Sequence, residues 1–175
     1  MKIKRTRGFS LLELLVSLAV LAIITGIAVP SMSEIIRNNR IDAINQSLFT
    51  TIVAARSEAV SRNQNVVVCK SPNGIFCATT NSWEQGWLTY VDVAGDGVKD
   101  ITDPIINSYS SLDANYTLRT GTAFENRVTI LPSGAVSEVG TFRLCGPDAS
   151  LEEGKSLILN ITGRPRYSDG VSECP

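Results

Sequence analysis

The chain has 175 residues, 43% of them hydrophobic, and a mean hydropathy of +0.10, which suits one folded domain and argues against a disordered chain. Sixteen Lys and Arg against seventeen Asp and Glu give a net charge of −1, so a uniformly basic nucleic-acid-binding protein is excluded and any anion site must be local. The absence of histidine excludes Ser-His-Asp and Cys-His catalysis and zinc sites with histidine ligands.

A basic segment opens the chain and a long apolar run follows it. Four positive side chains lie within the first eight residues: Lys2, Lys4, Arg5 and Arg7. The twenty residues from Leu14 to Ser33 carry no charge, and a helix of that length, at about 1.5 Å per residue, crosses the ~30 Å hydrocarbon core of a bilayer. Because the basic residues come first, we expect a single-pass protein with a cytoplasmic N-terminus and with the residues after Ser33 outside. A cleaved secretory signal is the alternative, but no small-residue cleavage site ends the run.

Glu13 is a carboxylate just inside this apolar segment. An acidic side chain in a membrane costs free energy unless it finds a partner, so its presence indicates a function. The run from Gly8 to Glu13, GFSLLE in one-letter code, resembles the class III prepilin signal of type IV pilins and type II secretion pseudopilins. The resemblance implies that a prepilin peptidase cleaves after Gly8 and methylates the new terminal amine of Phe9. It also implies that Glu13 pairs with the terminal amine of a neighbouring subunit during filament assembly.

The helix is expected to continue beyond the apolar run. Residues 1–8 are interpreted as a leader peptide and residues 9–33 as the transmembrane and filament-core half of one long helix. Apolar residues then recur every three or four positions and form a single stripe: Ile41, Ile44, Leu48, Ile52, Ala55 and Ala59. We predict that residues 34–64 are the amphipathic second half of the helix, whose stripe a sheet must cover.

Short runs rich in β-branched and aromatic residues follow the helix, and turn signals such as Asn73-Gly74 separate them. The predicted strands are Asn65–Cys69, Trp87–Val93, Ile105–Tyr109, Tyr116–Arg119, Arg127–Leu131, Thr141–Cys145, Ser156–Ile161 and Arg164–Tyr167. Since no second helical pattern follows, the predicted fold class is α+β, with one long N-terminal helix packed on antiparallel β-sheet. Residues 65–175 are expected to form one β-rich globular domain.

The cysteines all follow the apolar run, in the segment that we place in an oxidising compartment: Cys69, Cys77, Cys145 and Cys174. Four cysteines allow three pairings. The turn signal Asn73-Gly74 lies midway between Cys69 and Cys77 and would fold a hairpin that brings them together, so we favour this pair. The second disulfide is then Cys145–Cys174, and free buried thiols are the alternative.

Runs within the globular segment carry a second resemblance: WEQGWLTYVD at 83–92, LPSG at 131–134, FRLC at 142–145 and GRPR at 163–166. They resemble the GspH/FimT branch of type IV pilin-like proteins. The resemblance implies a filament subunit with a type IV pilin-like fold. One subfamily holds minor pilins of type IV pili, some of which bind DNA through a terminal arginine motif. The other holds minor pseudopilins, which cap a short periplasmic filament in type II secretion.

From this resemblance we expect a minor pilin of a type IV pilus that binds DNA non-specifically for uptake in natural transformation. The alternative is a type II secretion pseudopilin that does not bind DNA. The expected partners are other pilin subunits, the prepilin peptidase, the inner membrane and DNA. The expected location is the bacterial inner membrane, with a periplasmic domain, and then the pilus filament at the cell surface.

The stretch between Glu153 and Asp169 contains three basic residues and no acidic one. Arg164 and Arg166 are two residues apart, so in an extended segment they project to the same side and form a fork suited to phosphate oxygens. A glycine before them lets the backbone turn, and a tyrosine after them offers a ring to a base or sugar. The predicted DNA-binding residues are Gly163, Arg164, Arg166, Lys155 and Tyr167. The alternative is an edge strand whose charges only prevent unwanted pairing.

The loop that follows the second predicted strand is acidic. Its carboxylates fall at positions 1, 5, 9 and 12 of an EF-hand-like spacing: Asp92, Asp96, Asp100 and Asp103. Ala94 occupies a ligand position, Lys99 adds a positive charge and no helices are predicted to flank the loop, so a tight turn with solvated aspartates is favoured over a calcium site. Neither paired carboxylates nor a Ser-Lys motif indicates catalysis, and we predict no catalytic residue, metal or cofactor.

Overall fold

The computed structural model describes residues 9–80, 82–147 and 153–174. The chain divides into two compact units, Met1–Asn39 and Arg40–Pro175. One α-helix, α1 (Leu11–Arg62), begins in the first unit and ends in the second. The predicted leader at residues 1–8, with the cleavage position Gly8, lies outside the described residues.

The first unit is the N-terminal half of α1. The hydroxyl oxygen of Ser10 accepts the backbone N–H of Glu13 at 3.2 Å, so Ser10 caps the first helical turn. The large apolar side chains from Phe9 to Ile24 are between 50% and 77% exposed. In the part of the chain that the structure describes, no helix combines the length and the apolar character needed to cross a membrane.

The second half of α1 is amphipathic, as its spacing predicts. All six positions of the apolar stripe are 0–1% exposed: Ile41, Ile44, Leu48, Ile52, Ala55 and Ala59. They belong to one core cluster together with buried side chains from the strands. Burial of this stripe removes apolar surface from water and holds the helix to the rest of the second unit.

Eight strands form two four-stranded sheets in which every neighbouring pair is antiparallel. The strands are β1 (Asn65–Lys70), β2 (Trp87–Asp92), β3 (Ile105–Tyr109), β4 (Thr117–Thr120), β5 (Arg127–Ile130), β6 (Gly140–Cys145), β7 (Lys155–Leu159) and β8 (Pro165–Asp169). The first sheet has the order β3-β2-β1-β5 and the second the order β4-β6-β7-β8. Each predicted strand therefore occurs, with bounds within two residues of those expected from the sequence.

The division into two sheets was not predicted. Two short 3-10 turns, Trp83–Gln85 and Thr122–Phe124, carry large aromatic side chains into the core. The indole N–H of Trp83 donates to the carbonyl oxygen of Phe124 at 2.9 Å, and the Trp83 ring meets that of Phe142 edge-on at 4.9 Å. Strand periodicity shows which residues face a core but not which strands pair, so one sheet and two sheets give the same sequence pattern.

Two disulfides tie loops to the sheets, with the pairing that the sequence favours. Cys69 is bonded to Cys77, and Cys145 to Cys174. The first disulfide closes the loop after β1, in which the side-chain oxygen of Asn73 accepts the backbone N–H groups of the two residues after Gly74. The second holds the segment that follows β8 against the end of β6.

Candidate nucleic-acid interface

The turn between β7 and β8 is fixed by its packing on a neighbouring turn. Gly163 is buried and has φ +71°, and a Cβ on it would overlap the carbonyl oxygen of Gly134 in the turn after β5. The N–H of Gly163 donates to the carbonyl oxygen of Asn160 at 2.9 Å. The N–H of Val136, from the neighbouring turn, donates to the carbonyl oxygen of Ile161 at 3.1 Å. Arg56 on α1 donates from Nε to the Gly134 carbonyl at 2.9 Å. The left-handed backbone and the close contact with Gly134 both require glycine at position 163.

Arg164 and Arg166 leave this turn with exposed side chains. Within the described residues, neither guanidinium group has a hydrogen bond or an ion pair; Arg164 is held through its backbone N–H, which donates to Oδ1 of Asn160 at 3.3 Å. The strand begins at Pro165, so Arg164 ends the turn and only Arg166 is in β8. Because β8 is an edge strand of its sheet, the missing N–H of Pro165 breaks no ladder bond there.

The register of β8 separates the five predicted DNA-binding residues into two groups. Arg166 lies opposite Ile158, which is 37% exposed, whereas Tyr167 lies opposite the buried Leu157. Since side chains alternate along a strand, Arg166 is on the outer face of the sheet and Tyr167 on the face that packs against α1. Lys155 is on the same inner face, opposite Asp169.

Tyr167 is bound to the helix. Its ring stacks on that of Phe49 with the centroids 4.7 Å apart, and its hydroxyl donates to Oε1 of Gln46 at 2.6 Å. Partial burial raises the pKa of the Tyr167 hydroxyl, so it remains a donor at neutral pH. The ring is thus half-exposed, and its contacts hold β8 to α1.

Lys155 is bound in the same region by two carboxylates. Its Nζ lies 2.6 Å from Asp169 and 3.7 Å from Asp42. The hydrogen bond to Asp169 raises the pKa of Lys155, and the same hydrogen bond lowers the pKa of the Asp169 carboxyl. The amine is therefore charged but already has anionic partners, unlike the two arginines.

Sequence reasoning missed the partners Asp42, Gln46, Phe49 and Asp169. Asp169 lies 14 residues after Lys155 in the sequence, at the end of the stretch without acidic residues. The antiparallel pairing of β7 with β8 places Asp169 directly opposite Lys155. A strand-pairing argument could have found this contact, whereas the partners on α1 required the packing of the helix on the second sheet. The structure brings Gly163, Arg164 and Arg166 together and assigns Lys155 and Tyr167 to the opposite face.

The acidic loop is a hydrogen-bonded turn. The buried carboxylate of Asp92 accepts the N–H groups of Gly95 at 2.7 Å and Gly97 at 2.9 Å. The buried carboxylate of Asp103 accepts those of Val93 at 3.1 Å and Asp100 at 2.9 Å. Across the described ranges, no group of three or more His, Cys, Asp or Glu side chains is placed to hold a metal ion. The carboxylates of Asp92 and Asp103 thus stabilise the turn through hydrogen bonds to its backbone, and they are buried, not solvated as the sequence suggested.

Solved structures similar to this chain are pilin-like. The type IV minor pilin FimU of Pseudomonas aeruginosa superposes with a TM-score of 0.61 at 19% identity, over 78% of this chain and 96% of that one. The minor pseudopilin EpsH of the Vibrio cholerae type 2 secretion system gives a TM-score of 0.50 at 16% identity, over 74% of this chain and 97% of that one. At these identities the likeness establishes the fold. No curated protein matches the chain.

Two family patterns match the sequence itself. The prokaryotic N-terminal methylation motif matches residues 3–29, which include Gly8, Phe9 and Glu13. The family described as type II transport protein GspH matches residues 45–163, more than half of the chain, and its match ends just before Arg164. The chain, with its α+β fold of a long helix on antiparallel sheets, therefore belongs to the GspH family.

Proposed function

We propose that the chain is a minor pilin of a type IV pilus that binds DNA without sequence preference and takes part in DNA uptake during natural transformation. The observation that carries the proposal is the pair of exposed guanidinium groups of Arg164 and Arg166, which have no anionic partner among the described residues. A guanidinium group offers two parallel donors to a phosphate, and phosphate contacts carry no base information.

The charge balance of the chain supports a local site. Acidic residues outnumber basic ones over the whole sequence, so binding to a polyanion needs cations that the fold leaves unneutralised. Arg164 and Arg166 meet this condition, and the rigid turn at Gly163 limits the entropy lost when they bind. Lys155 and Tyr167 contribute by holding β8 on the helix, through Asp42 and Phe49.

The N-terminal segment supports maturation and assembly as a pilin. The match to the methylation motif fits cleavage after Gly8 by a prepilin peptidase and methylation of Phe9. The uncharged residues 14–33 support insertion in the inner membrane with the N-terminus in the cytoplasm. The exposed apolar side chains of residues 9–24 then supply the surface for other pilin subunits in the filament, and Glu13 pairs with a neighbour's terminal amine.

A minor pseudopilin of a type II secretion system is the second candidate. The description of the matching family as a type II transport protein favours it. In that role the filament contacts are the whole function, and Arg164 and Arg166 only protect a sheet edge from pairing with another chain.

Binding of DNA by the full chain in a neutral detergent separates the two candidates. We expect weak, sequence-independent binding, and we expect Arg164→Ala and Arg166→Ala each to weaken it. Each lost phosphate contact should reduce the slope of log affinity against log salt by about 0.9 on double-stranded and about 0.7 on single-stranded DNA. Neither substitution should lower the unfolding midpoint, because exposed unpaired charges contribute little to stability.

Arg40→Ala is the matched control. It also removes one positive charge, but from an exposed arginine that Asp113 already neutralises at 2.9 Å. We expect the control to bind DNA as the wild type does. DNA binding that is unchanged by both Arg164→Ala and Arg166→Ala would remove this site, and no binding at low salt would favour the pseudopilin.

A further inference from the structure

The outer face of the second sheet carries another arginine. Arg143 on β6 alternates with the buried Phe142 and Leu144, so it is on the same outer face as Arg166 on β8. The register links them through β7, since Arg143 lies opposite Ser156 and Arg166 opposite Ile158. The two arginines are separated by two strand spacings across the sheet and by two residues along the strand direction, so their Cα atoms are about 12 Å apart. Extended arginine side chains at that separation can reach phosphates of one DNA backbone.

Nothing acidic on the strands separates these two arginines. The outward positions of β6, β7 and β8 are occupied by uncharged residues apart from the arginines: Thr141, Cys145, Ser156, Ile158 and Ser168. The strand surface between Arg143 and Arg166 therefore carries no charged side chain. It is compatible with a phosphate backbone that crosses the sheet from β8 to β6.

Arg143 differs from Arg166 in having an anion beside it. Its Nη1 lies 2.7 Å from Oε1 of Glu173 and 3.4 Å from the hydroxyl of Ser172. These residues follow β8 and are held there because the next residue, Cys174, is bonded to Cys145. As a result the Arg143 side chain is 22% exposed, while that of Glu173 is 68% exposed.

The contact with Glu173 does not satisfy all the hydrogen-bond donors of the Arg143 guanidinium group. The Nε of Arg143 is buried without a hydrogen-bond partner in the described part of the chain. A mostly exposed carboxylate also holds its partner weakly, since water competes for it. A phosphate that replaced Glu173 would accept from Nη1, the atom that Glu173 now contacts, and would bring a full charge in place of a weakly held one.

We propose that Arg143 is a third phosphate contact of the DNA-binding surface and that Glu173, held beside it by the Cys145–Cys174 disulfide, competes with DNA for it. The proposal rests on the DNA binding proposed above, which it extends from the edge of the sheet across its outer face. It assigns the segment after β8 a second role, as an internal competitor that weakens DNA binding.

Glu173→Gln tests the proposal in the full chain in neutral detergent, with a 30-base-pair duplex as the probe. The substitution keeps the size of the side chain and removes the competing charge, so we expect affinity to rise about two- to tenfold, the gain of one net hydrogen bond. Asp113→Asn is the matched control, because it also frees an exposed arginine, Arg40, from a carboxylate that is 66% exposed. A gain from Glu173→Gln that is no larger than that from Asp113→Asn would overturn the proposal.

Glu173→Gln in the Arg143→Ala background shows whether the gain in DNA affinity depends on Arg143. There we expect Glu173→Gln to add nothing beyond the control, and the salt slope of the double variant to be about 0.9 below that of Glu173→Gln alone. An undiminished gain in that background would also overturn the proposal. If Arg164→Ala and Arg166→Ala weaken binding while Glu173→Gln behaves like its control, only this inference fails. If the wild type binds no DNA, the proposed function fails and this inference with it.

Discussion

Gly163→Ala is expected to lower the free energy of unfolding by about 2–5 kcal/mol, the sum of a left-handed alanine and an overpacked contact. The backbone at Gly163 has φ +71°, and the added Cβ would overlap the carbonyl oxygen of Gly134. That carbonyl cannot simply move, because it accepts a hydrogen bond from Arg56 on α1. Urea unfolding followed by tryptophan fluorescence measures the loss, since both Trp83 and Trp87 are buried.

Gly95→Ala is the control that separates the two causes. Gly95 has a similar φ of +78°, but no atom lies within 4 Å of the position of its Cβ. We therefore expect a cost of about 1–2 kcal/mol there, from backbone strain alone. If Gly163→Ala cost no more than Gly95→Ala, the packing of the two turns would not be what fixes the position of Arg164.

Glu13→Leu is expected to leave the subunit in the membrane and almost absent from filaments. In the assembly proposed above, Glu13 and a neighbour's terminal amine form an ion pair that becomes buried. Removing one member of such a pair costs about 3–5 kcal/mol, because the other charge stays without a partner. Immunoblots of sheared filaments and of membranes measure the two pools.

The cap at the start of α1 offers another role for Glu13, which must be separated from assembly. Its backbone N–H, which donates to Ser10, is retained when Glu13 is replaced by leucine or glutamine, and an exposed acid in the first turn contributes only about 0.3–1 kcal/mol. Glu13→Gln keeps the side chain's size, so it should fail in assembly as the leucine variant does. Filaments with normal amounts of either variant would contradict the assembly role.

The elements of the fold could be predicted because each has a period of its own. Apolar residues three or four apart fixed the buried face of α1 between Ile41 and Ala59, and β-branched runs between glycine turns located the strands. The Cys69–Cys77 disulfide followed from a turn signal midway between its cysteines. These are local properties, so the sequence contains them in full.

The arrangement of the candidate site was only partly predictable. The exposure of Arg164 and Arg166 agreed with their residue type, and the edge position of β8 agreed with Pro165. The contacts of Tyr167 with Phe49, across 118 residues, and of Arg143 with Glu173 depend on which strands pair and how the helix lies on them. Such long-range contacts have no local signature, so reasoning from spacing alone grouped Tyr167 with Arg164 and Arg166.

DNA capture by filaments on living cells tests the central claim most directly. Cells that carry Arg164→Ala together with Arg166→Ala should assemble filaments in wild-type numbers, because both side chains are exposed and their guanidinium groups make no hydrogen bond or ion pair with the described residues. The account predicts that these filaments bind little fluorescent DNA and that the cells lose transformation, whereas Arg40→Ala cells retain both. Wild-type DNA capture and transformation in the double variant would contradict it.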